Sequence, residues 1–300
     1  MSAYLISIAT FTGFFMMLAL ALNLQWGVTG MVNFGIAGFY GVGAYTSGLL
    51  SAKVGLPSEV TILVAPVVAA GLGACLAFLS LRLRDDFLAI VTLGFGEFVR
   101  LILLNEDQIT NGPRGLPIPD RPLAGLFDRG DYALFYLALV AFFVILSYLI
   151  VERLRKAPYG RVLRAIREDD VVASVLGKHV LRFRVQVFAL GSAIMGLAGA
   201  LYAHYAQNVS PDVFTPMVAI FIWMSVIVGG AGNNRGLLIG AGVVMAILEG
   251  SRFLGDAVTF ISAPDLSALR IIVIGLVLIL MIRFRPEGLV PEPKFKASDA

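Results

Sequence analysis

The sequence predicts an all-α integral membrane protein, a polytopic bundle of about eight or nine transmembrane helices with one short cytoplasmic helix between two of them. Three observations predict it. Hydrophobic residues make up 58% of the 300 and charged residues only 14%, against about 25% charged in soluble domains. The apolar residues fall into runs near the roughly 20 residues that a helix needs to cross a bilayer. The charged residues gather instead in one island, with 13 Asp, Glu, Lys and Arg side chains between residues 152 and 184.

Taken in order, the apolar runs lie near residues 4–24, 28–50, 59–81, 86–105, 132–151, 184–206, 217–231, 236–252 and 267–285. The first basic residue is Lys53, so no positively charged n-region precedes the first run, and that run is expected to stay in the mature protein as a helix. The second run is punctuated by Gly27, Gly30, Gly35, Gly38, Gly41, Gly43, Gly48 and Gly55, with Asn23, Gln25, Thr29 and Asn33 at or just before its start. Two readings of it stay open. It is a bent or re-entrant segment lining a pathway, since broken helices at membrane depth are tolerated beside cavities or inside protein, or it is a helix packed tightly through small residues. Cys75, the single cysteine, excludes an internal disulfide and is read as a small core hydrophobe. Glu97 with Arg100, and Glu249 with Arg252, are spaced to pair on one helix face; no unpaired acid marks an ion-coupled transporter. His179 and His204 lack neighbours at metal-ligand spacing and are read as ordinary polar residues, with no metal expected.

Orientation follows from charge. Residues 152–184 carry nine basic side chains against four acidic ones, whereas residues 105–131 carry three against five. The positive-inside rule therefore places the island in the cytoplasm and the Pro-rich loop outside. Alternation then puts Arg82, Arg84, Arg235 and the tail from about 286 to 300 inside, with Asn208–Pro216 and Asp256–Asp265 outside. Nine spans put the amino terminus outside; a re-entrant second segment reverses that. The pI of 9.1 reflects these loops rather than a nucleic-acid surface, and no nucleic-acid partner is expected. The chain reads as one domain over residues 1–300.

Within the island, Pro158 and Gly160 break the preceding helix, Asp169 or Asp170 caps a new short one, and Gly177 ends it with a left-handed residue. Val171, Val172, Val175 and Leu176 give that helix an apolar face, which a protein groove or a membrane surface must cover. Enzymatic motifs are missing: Gly177-Lys178-His179 lacks both the upstream glycine and the hydroxyl residue of a phosphate loop, and neither G-x-S-x-G nor H-E-x-x-H occurs. Any ATP hydrolysis must come from another subunit.

Several segments together resemble the M-type permease of the branched-chain amino-acid ABC importers. They are Asn23-Leu-Gln-Trp-Gly27 with Thr29-Gly30 and Asn33-Phe34-Gly35; Gly41-Val-Gly-Ala-Tyr45; Leu81 to Arg84 with Asp86 to Gly94, which includes Thr92; Asn111-Gly-Pro113; Gly160-Arg161 with Leu163 to Asp169; Gly196 to Tyr202; Ser210-Pro211; Gly229 to Gly232; and Phe284-Arg-Pro286 with Gly288-Leu289. The resemblance covers almost the whole chain. It implies a second homologous permease, two cytoplasmic ATP-binding subunits that hold ATP and Mg, and an external substrate-binding protein, assembled in a bacterial-type cytoplasmic (inner) membrane; no cofactor is expected on this chain. It places a coupling region at about 160–178, with Arg164, Arg167, Glu168, Asp169, Asp170, Val172, Leu176 and Gly177 meeting the ATPase. The pathway-lining reading of the second run places the candidate translocation pathway at Asn23, Gln25, Thr29, Asn33, Phe34, Gly35, Gly41, Tyr45 and Thr92. The chain departs from the pattern at Ile36, where many relatives have His, and at Asn233, Asn234 and Leu237. Those positions bear on substrate, for which leucine, isoleucine and valine come first, other neutral amino acids second, and urea or short amides third; a stand-alone secondary transporter or channel is the alternative.

Overall fold

The computed structural model describes residues 2–80, 85–127, 131–257 and 263–292. Twelve α-helices form among them: α1 (Ser2–Gln25), α2 (Ile36–Ala52), α3 (Ser58–Ser80), α4 (Asp85–Asn105), α5 (Asp107–Thr110), α6 (Tyr132–Lys156), α7 (Pro158–Glu168), α8 (Asp170–Val175), α9 (Val180–Ala206), α10 (Pro216–Gly229), α11 (Asn234–Ala257) and α12 (Ala263–Phe284). Six of the long helices, α1, α3, α4, α6, α9 and α10 with its preceding turn, are each long and apolar enough to cross a bilayer. With α2, α11 and α12 they match the nine apolar runs of the sequence. Arg82, Arg84 and the side chains of Arg252, Asp256 and Asp265 lie outside the described residues.

The second run does not begin where the hydropathy does. Residues 26–29 turn, residues 30–34 have no regular structure, and α2 starts only at Ile36. Gly30, at φ +82°, supplies the left-handed residue that ends the turn. The broken stretch is covered by protein, which is the condition for irregular backbone at membrane depth.

Alternating helices place the island, the 230–233 turn and the tail at one end of the bundle. Asn234 on α11 donates to Glu152 at the end of α6 at 2.7 Å, and Asn233 donates to the Pro291 carbonyl at 3.0 Å. The amino terminus lies at the other end: Ser7 bonds Tyr205 near the last turn of α9 at 2.6 Å, and Tyr4 donates to Glu249 at 3.2 Å. The amino terminus and the island therefore lie at opposite ends of the bundle.

α9 is the centre of the bundle, gripped by α2 and α3 on one side and α1 on another. Glycines set how closely they pack: a Cβ on Gly199 would lie 2.0 Å from the Tyr40 carbonyl oxygen, and one on Gly196 would lie 2.4 Å from the Ala69 Cβ. Small residues let backbones meet where lipid removes the hydrophobic drive for helix association. Phe14, Leu18, Leu20, Leu22 and Leu24 are fully buried in the second half of α1. The outer faces of α3, α4 and α6 expose Leu63, Val67, Leu79, Ile90, Phe98, Phe142 and Ile145, an apolar belt of the kind that a membrane or neighbouring helices within it cover. Cys75 belongs to that exposed side of α3. Its expected place in the core is thus corrected: hydropathy marks it as apolar but cannot tell core from lipid, because both are hydrocarbon.

At the amino-terminal end of the bundle, β1 (Leu116–Pro117) pairs antiparallel with β2 (Asn208–Val209), tying the 106–131 loop to the α9–α10 connection. That loop inserts Leu116 and Ile118, both fully buried, over Gly48 of α2. His204 is buried beside it, with Nδ1 2.9 Å from the Asp120 carbonyl and Nε2 2.8 Å from Ser47 Oγ. As the sequence suggests, it is an ordinary polar residue, here clamping the loop to α2 and α9.

Candidate functional site

The polar residues around the second run converge into one buried network at the island end. Asn23 donates to Asn234 at 2.9 Å and accepts from the Gly232 amide at 2.8 Å. Gln25 donates to the Phe188 carbonyl at 3.0 Å and accepts from Asn33 at 2.7 Å. Asn33 Oδ1 in turn accepts from the Gly35 amide at 2.7 Å, and its carbonyl accepts from Trp223 at 3.0 Å. Thr29 donates to the Leu24 carbonyl, while Thr92 on α4 accepts from the Phe34 amide at 3.0 Å. Asn23, Gln25, Thr29, Asn33 and Thr92 are all buried. Each buried amide left unpaired would cost about 1–3 kcal/mol, so the network holds the broken segment in one shape and joins it to α4, α9, α10 and α11.

Of the other proposed pathway residues, Phe34 stacks on Trp223 with ring centres 5.0 Å apart. Gly35 faces the Thr92 carbonyl, and Gly41 faces Phe214, where a Cβ would come within 3.1 Å of the ring. Tyr45 donates to the Val209 carbonyl at 2.9 Å. The nine positions therefore form two groups. Asn23 to Gly35 with Thr92 lie at the island end, and Gly41 and Tyr45 lie under the Phe214 turn that precedes α10. Phe214 is buried among Tyr40, Tyr45 and Tyr202, and no sequence signal marked it.

The island folds into two helices rather than one. The preceding helix does end before Pro158, at Lys156, and Pro158 also opens α7 as its first residue, where its missing N–H costs nothing. Gly160 lies against the Arg155 carbonyl, 2.2 Å from where a Cβ would sit, so the α6–α7 corner is tight. Leu163 and Ile166 anchor α7 by burial. Arg164, Arg167 and Glu168 thus belong to α7, and α8 is confined to Asp170–Val175. Asp169 is the cap of α8, accepting from the Val172 amide at 2.9 Å; Asp170 instead pairs with Arg184 of α9 at 3.1 Å. Gly177 ends the helix at φ +78° with the Lys178 amide bonded back to the Ala173 carbonyl, the C-terminal arrangement expected of a left-handed glycine. Val172 is 54% exposed, Leu176 72% and Val175 81%, with Val171 beside them; Ala173 faces the protein.

Arg167 bonds inward. Its guanidinium donates to the Gly27 carbonyl in the broken segment and to Glu292 of the tail at 3.1 Å. The tail lies along the α10–α11 turn, with the Leu289 and Val290 amides bonded to the Val228 and Gly229 carbonyls. Beside it, burial lowers the Arg164 pKa from its usual value, against the opposing pull of Glu292. One side chain therefore joins the helix next to α8, the broken segment and the tail. Glu97 and Arg100 pair with each other, as their spacing predicts. Among the described residues no group of His, Cys, Asp and Glu could hold a metal ion.

This architecture agrees with relationships across the whole chain. Residues 4–282 match the family described as branched-chain amino acid transport system / permease component. The chain is 34% identical to the high-affinity branched-chain amino acid transport system permease protein LivM of Escherichia coli K12, over 97% of this chain and 71% of that one. It is 31% identical to the probable branched-chain amino acid transport permease protein LivM of Methanocaldococcus jannaschii, over 97% and 95%. Identity to the permease protein LivH of Escherichia coli K12 is 24%, over 93% and 91%. No solved structure matches the chain. Its helices, its apolar belt and this match over nearly its full length together make the chain a multi-pass membrane protein of the permease family of branched-chain amino acid transport systems.

Proposed function

We propose that this chain is the permease subunit of an ATP-driven, binding-protein-dependent importer of branched-chain amino acids in a bacterial-type cytoplasmic membrane. The observation that carries the reading is α8: a capped six-residue helix held to α9 by the Asp170–Arg184 pair while it exposes Val171, Val172, Val175 and Leu176. A rigid support beneath an uncovered apolar face suits a groove on a cytoplasmic ATPase. Two such ATPases carry ATP and Mg, a second homologous permease completes the pathway, and an external binding protein delivers the substrate.

In this mechanism nucleotide-driven motion of the ATPases displaces α8, and α7 moves with it. Arg167 passes the displacement to Gly27, and the Asn23–Asn33 network carries it to α4, α9, α10 and α11. The two arrangements of the spans are a two-state element biased by the nucleotide. Purification from the native membrane in mild detergent, followed by mass spectrometry, tests the assembly. Two Walker-motif ATPases and a homologous permease at fixed stoichiometry are expected; the chain alone and monodisperse would support a stand-alone transporter or channel.

Arg167→Ala tests the linkage. It leaves the Gly27 carbonyl and Glu292 without their shared cation, so ATP hydrolysis by the reconstituted complex is expected to persist while leucine taken up per ATP falls about tenfold, the effect of about 1.4 kcal/mol. Arg167→Lys rescues little, because an ammonium lacks the planar fork that reaches two acceptors. An unchanged uptake-to-hydrolysis ratio would remove Arg167 from the coupling route.

A further inference from the structure

At the island end, beside but separate from the exposed face of α8, a cavity of about 740 Å³ opens between the end of α3 and the start of α9. Its lining is divided. Lys178, His179 and Arg182 bring basic side chains, Ser174 and Gln186 bring neutral polar ones, and Phe78, Val180, Leu181 and Val185 make an apolar wall. Neither Lys178 nor Arg182 is paired with a carboxylate among the described residues. Phe78 is 58% exposed and continues directly into the apolar belt of α3.

We infer that this cavity holds the headgroup of an anionic membrane phospholipid. The level of the cavity supports that occupant. α3 and α9 are both bilayer-spanning, and the cavity lies where one ends and the other begins, which is the height of a phospholipid phosphate. The lining combines cations that have no carboxylate partner with hydrocarbon side chains, the composition that suits an amphiphile with a negative head. Basic pockets between spans on the cytoplasmic side bind such headgroups. Lys178 and Arg182 contact the phosphate, Ser174 and Gln186 offer hydrogen bonds to the headgroup, and an acyl chain lies along Phe78, Leu181 and Val185. Because Ser174 belongs to α8, the lipid would touch the helix that the ATPase moves, and membrane composition would bias that motion. The binding site itself requires only that the chain span a membrane, and does not rest on the importer reading.

The test uses the full chain in nanodiscs of phosphatidylcholine with increasing phosphatidylglycerol, followed by release into a mild detergent and native mass spectrometry of retained lipid. Wild-type protein is expected to retain one phosphatidylglycerol over phosphatidylcholine. Each basic residue near an anionic surface is worth roughly fivefold in affinity, so Lys178→Gln/Arg182→Gln should lower that preference about 25-fold. Both side chains are exposed, and the double variant should keep the wild-type Tm in pure phosphatidylcholine. Absence of a preference in the wild type, or an unchanged preference in the double variant, would overturn the assignment. Displacement of the lipid by millimolar inorganic phosphate would assign the site to a free anion instead. Loss of a copurifying acidic subunit in the double variant, with no lipid preference in the wild type, would assign it to a protein surface.

Discussion

Gly43→Leu is expected to abolish accumulation of folded protein in the membrane. Gly43 lies on α2 where that helix crosses α9, and a Cβ there would sit 2.0 Å from the Gly196 carbonyl oxygen and 2.4 Å from its Cα. Both are backbone atoms, so no side-chain rotation relieves the contact. Even Gly43→Ala must separate two helices that are also held by Gly199 against Tyr40 and Ala44. Overpacking of this kind costs roughly 1–3 kcal/mol, which corresponds to a fall in Tm of about 5 °C; leucine, three carbons larger, exceeds what the crossing can absorb. Gly71 on α3 is the control, since nothing lies within 4 Å of its Cβ position. Gly71→Ala should be neutral or slightly stabilising, because glycine inside a helix costs about 1 kcal/mol relative to alanine. Thermal unfolding in detergent, read by fluorescence size exclusion, separates the two. Equal Tm values for Gly43→Ala and Gly71→Ala would remove the close crossing of α2 and α9 as a determinant of stability.

Asp169→Lys/Asp170→Lys is expected to lower ATP-dependent uptake by at least about tenfold with membrane insertion unchanged. Asp169 accepts the Val172 amide at 2.9 Å as the cap of α8, and loss of such a cap costs about 1 kcal/mol. A lysine there also places positive charge at the positive end of the helix dipole. At position 170 a lysine faces Arg184, whose side chain is only 13% exposed, so an attraction becomes a repulsion between cations. A six-residue helix has little else to hold it, since only Ala173 is buried. The spans themselves are untouched. Asp169→Asn, which caps equally well, should restore most of the uptake when introduced alone. Labelled leucine uptake in cells lacking the native system, normalised to protein in the membrane, gives the measurement. Normal uptake by the double lysine variant would refute α8 as the coupling helix, whereas equal loss in Asp169→Asn would mean that the carboxylate charge, not the cap, is what the partner recognises.

Local signals in the sequence were legible where chain direction alone decides structure. Gly177 needed no neighbour to mark a left-handed terminus, and the sequence narrowed the cap to Asp169 or Asp170, of which Asp169 accepts the Val172 amide. Glu97 and Arg100 likewise pair within one helix turn. Pro158 was legible only in part, because a proline that ends one helix also suits the first position of another, and burial of Leu163 and Ile166 settled the choice in favour of α7. The division of the coupling region between α7 and α8 follows from that burial. For the broken segment, the glycines signalled an irregularity but not its bounds. Gly30 lies in the left-handed region, while Gly43 sits in a helix at a close crossing, and nothing local distinguishes them.

The sequence by itself determined that this is a multi-pass helical membrane protein, and it set the approximate limits of most long helices and the family, because those depend on hydropathy, charge and short-range order along one chain. Only the tertiary structure decided which polar residues meet. Asn23 and Asn234 bond across 211 residues of sequence, and Arg167 reaches Gly27 and Glu292 at separations of 140 and 125. Such pairings depend on which helices become neighbours, and that is set by the fit of Gly43, Gly196 and Gly199 at their crossings. Cys75 makes the same point in reverse: its apolar surroundings were evident along the chain, but whether they were protein or lipid was fixed only when α3 turned its other face, with Ala65, Ala69 and Gly73, towards α9.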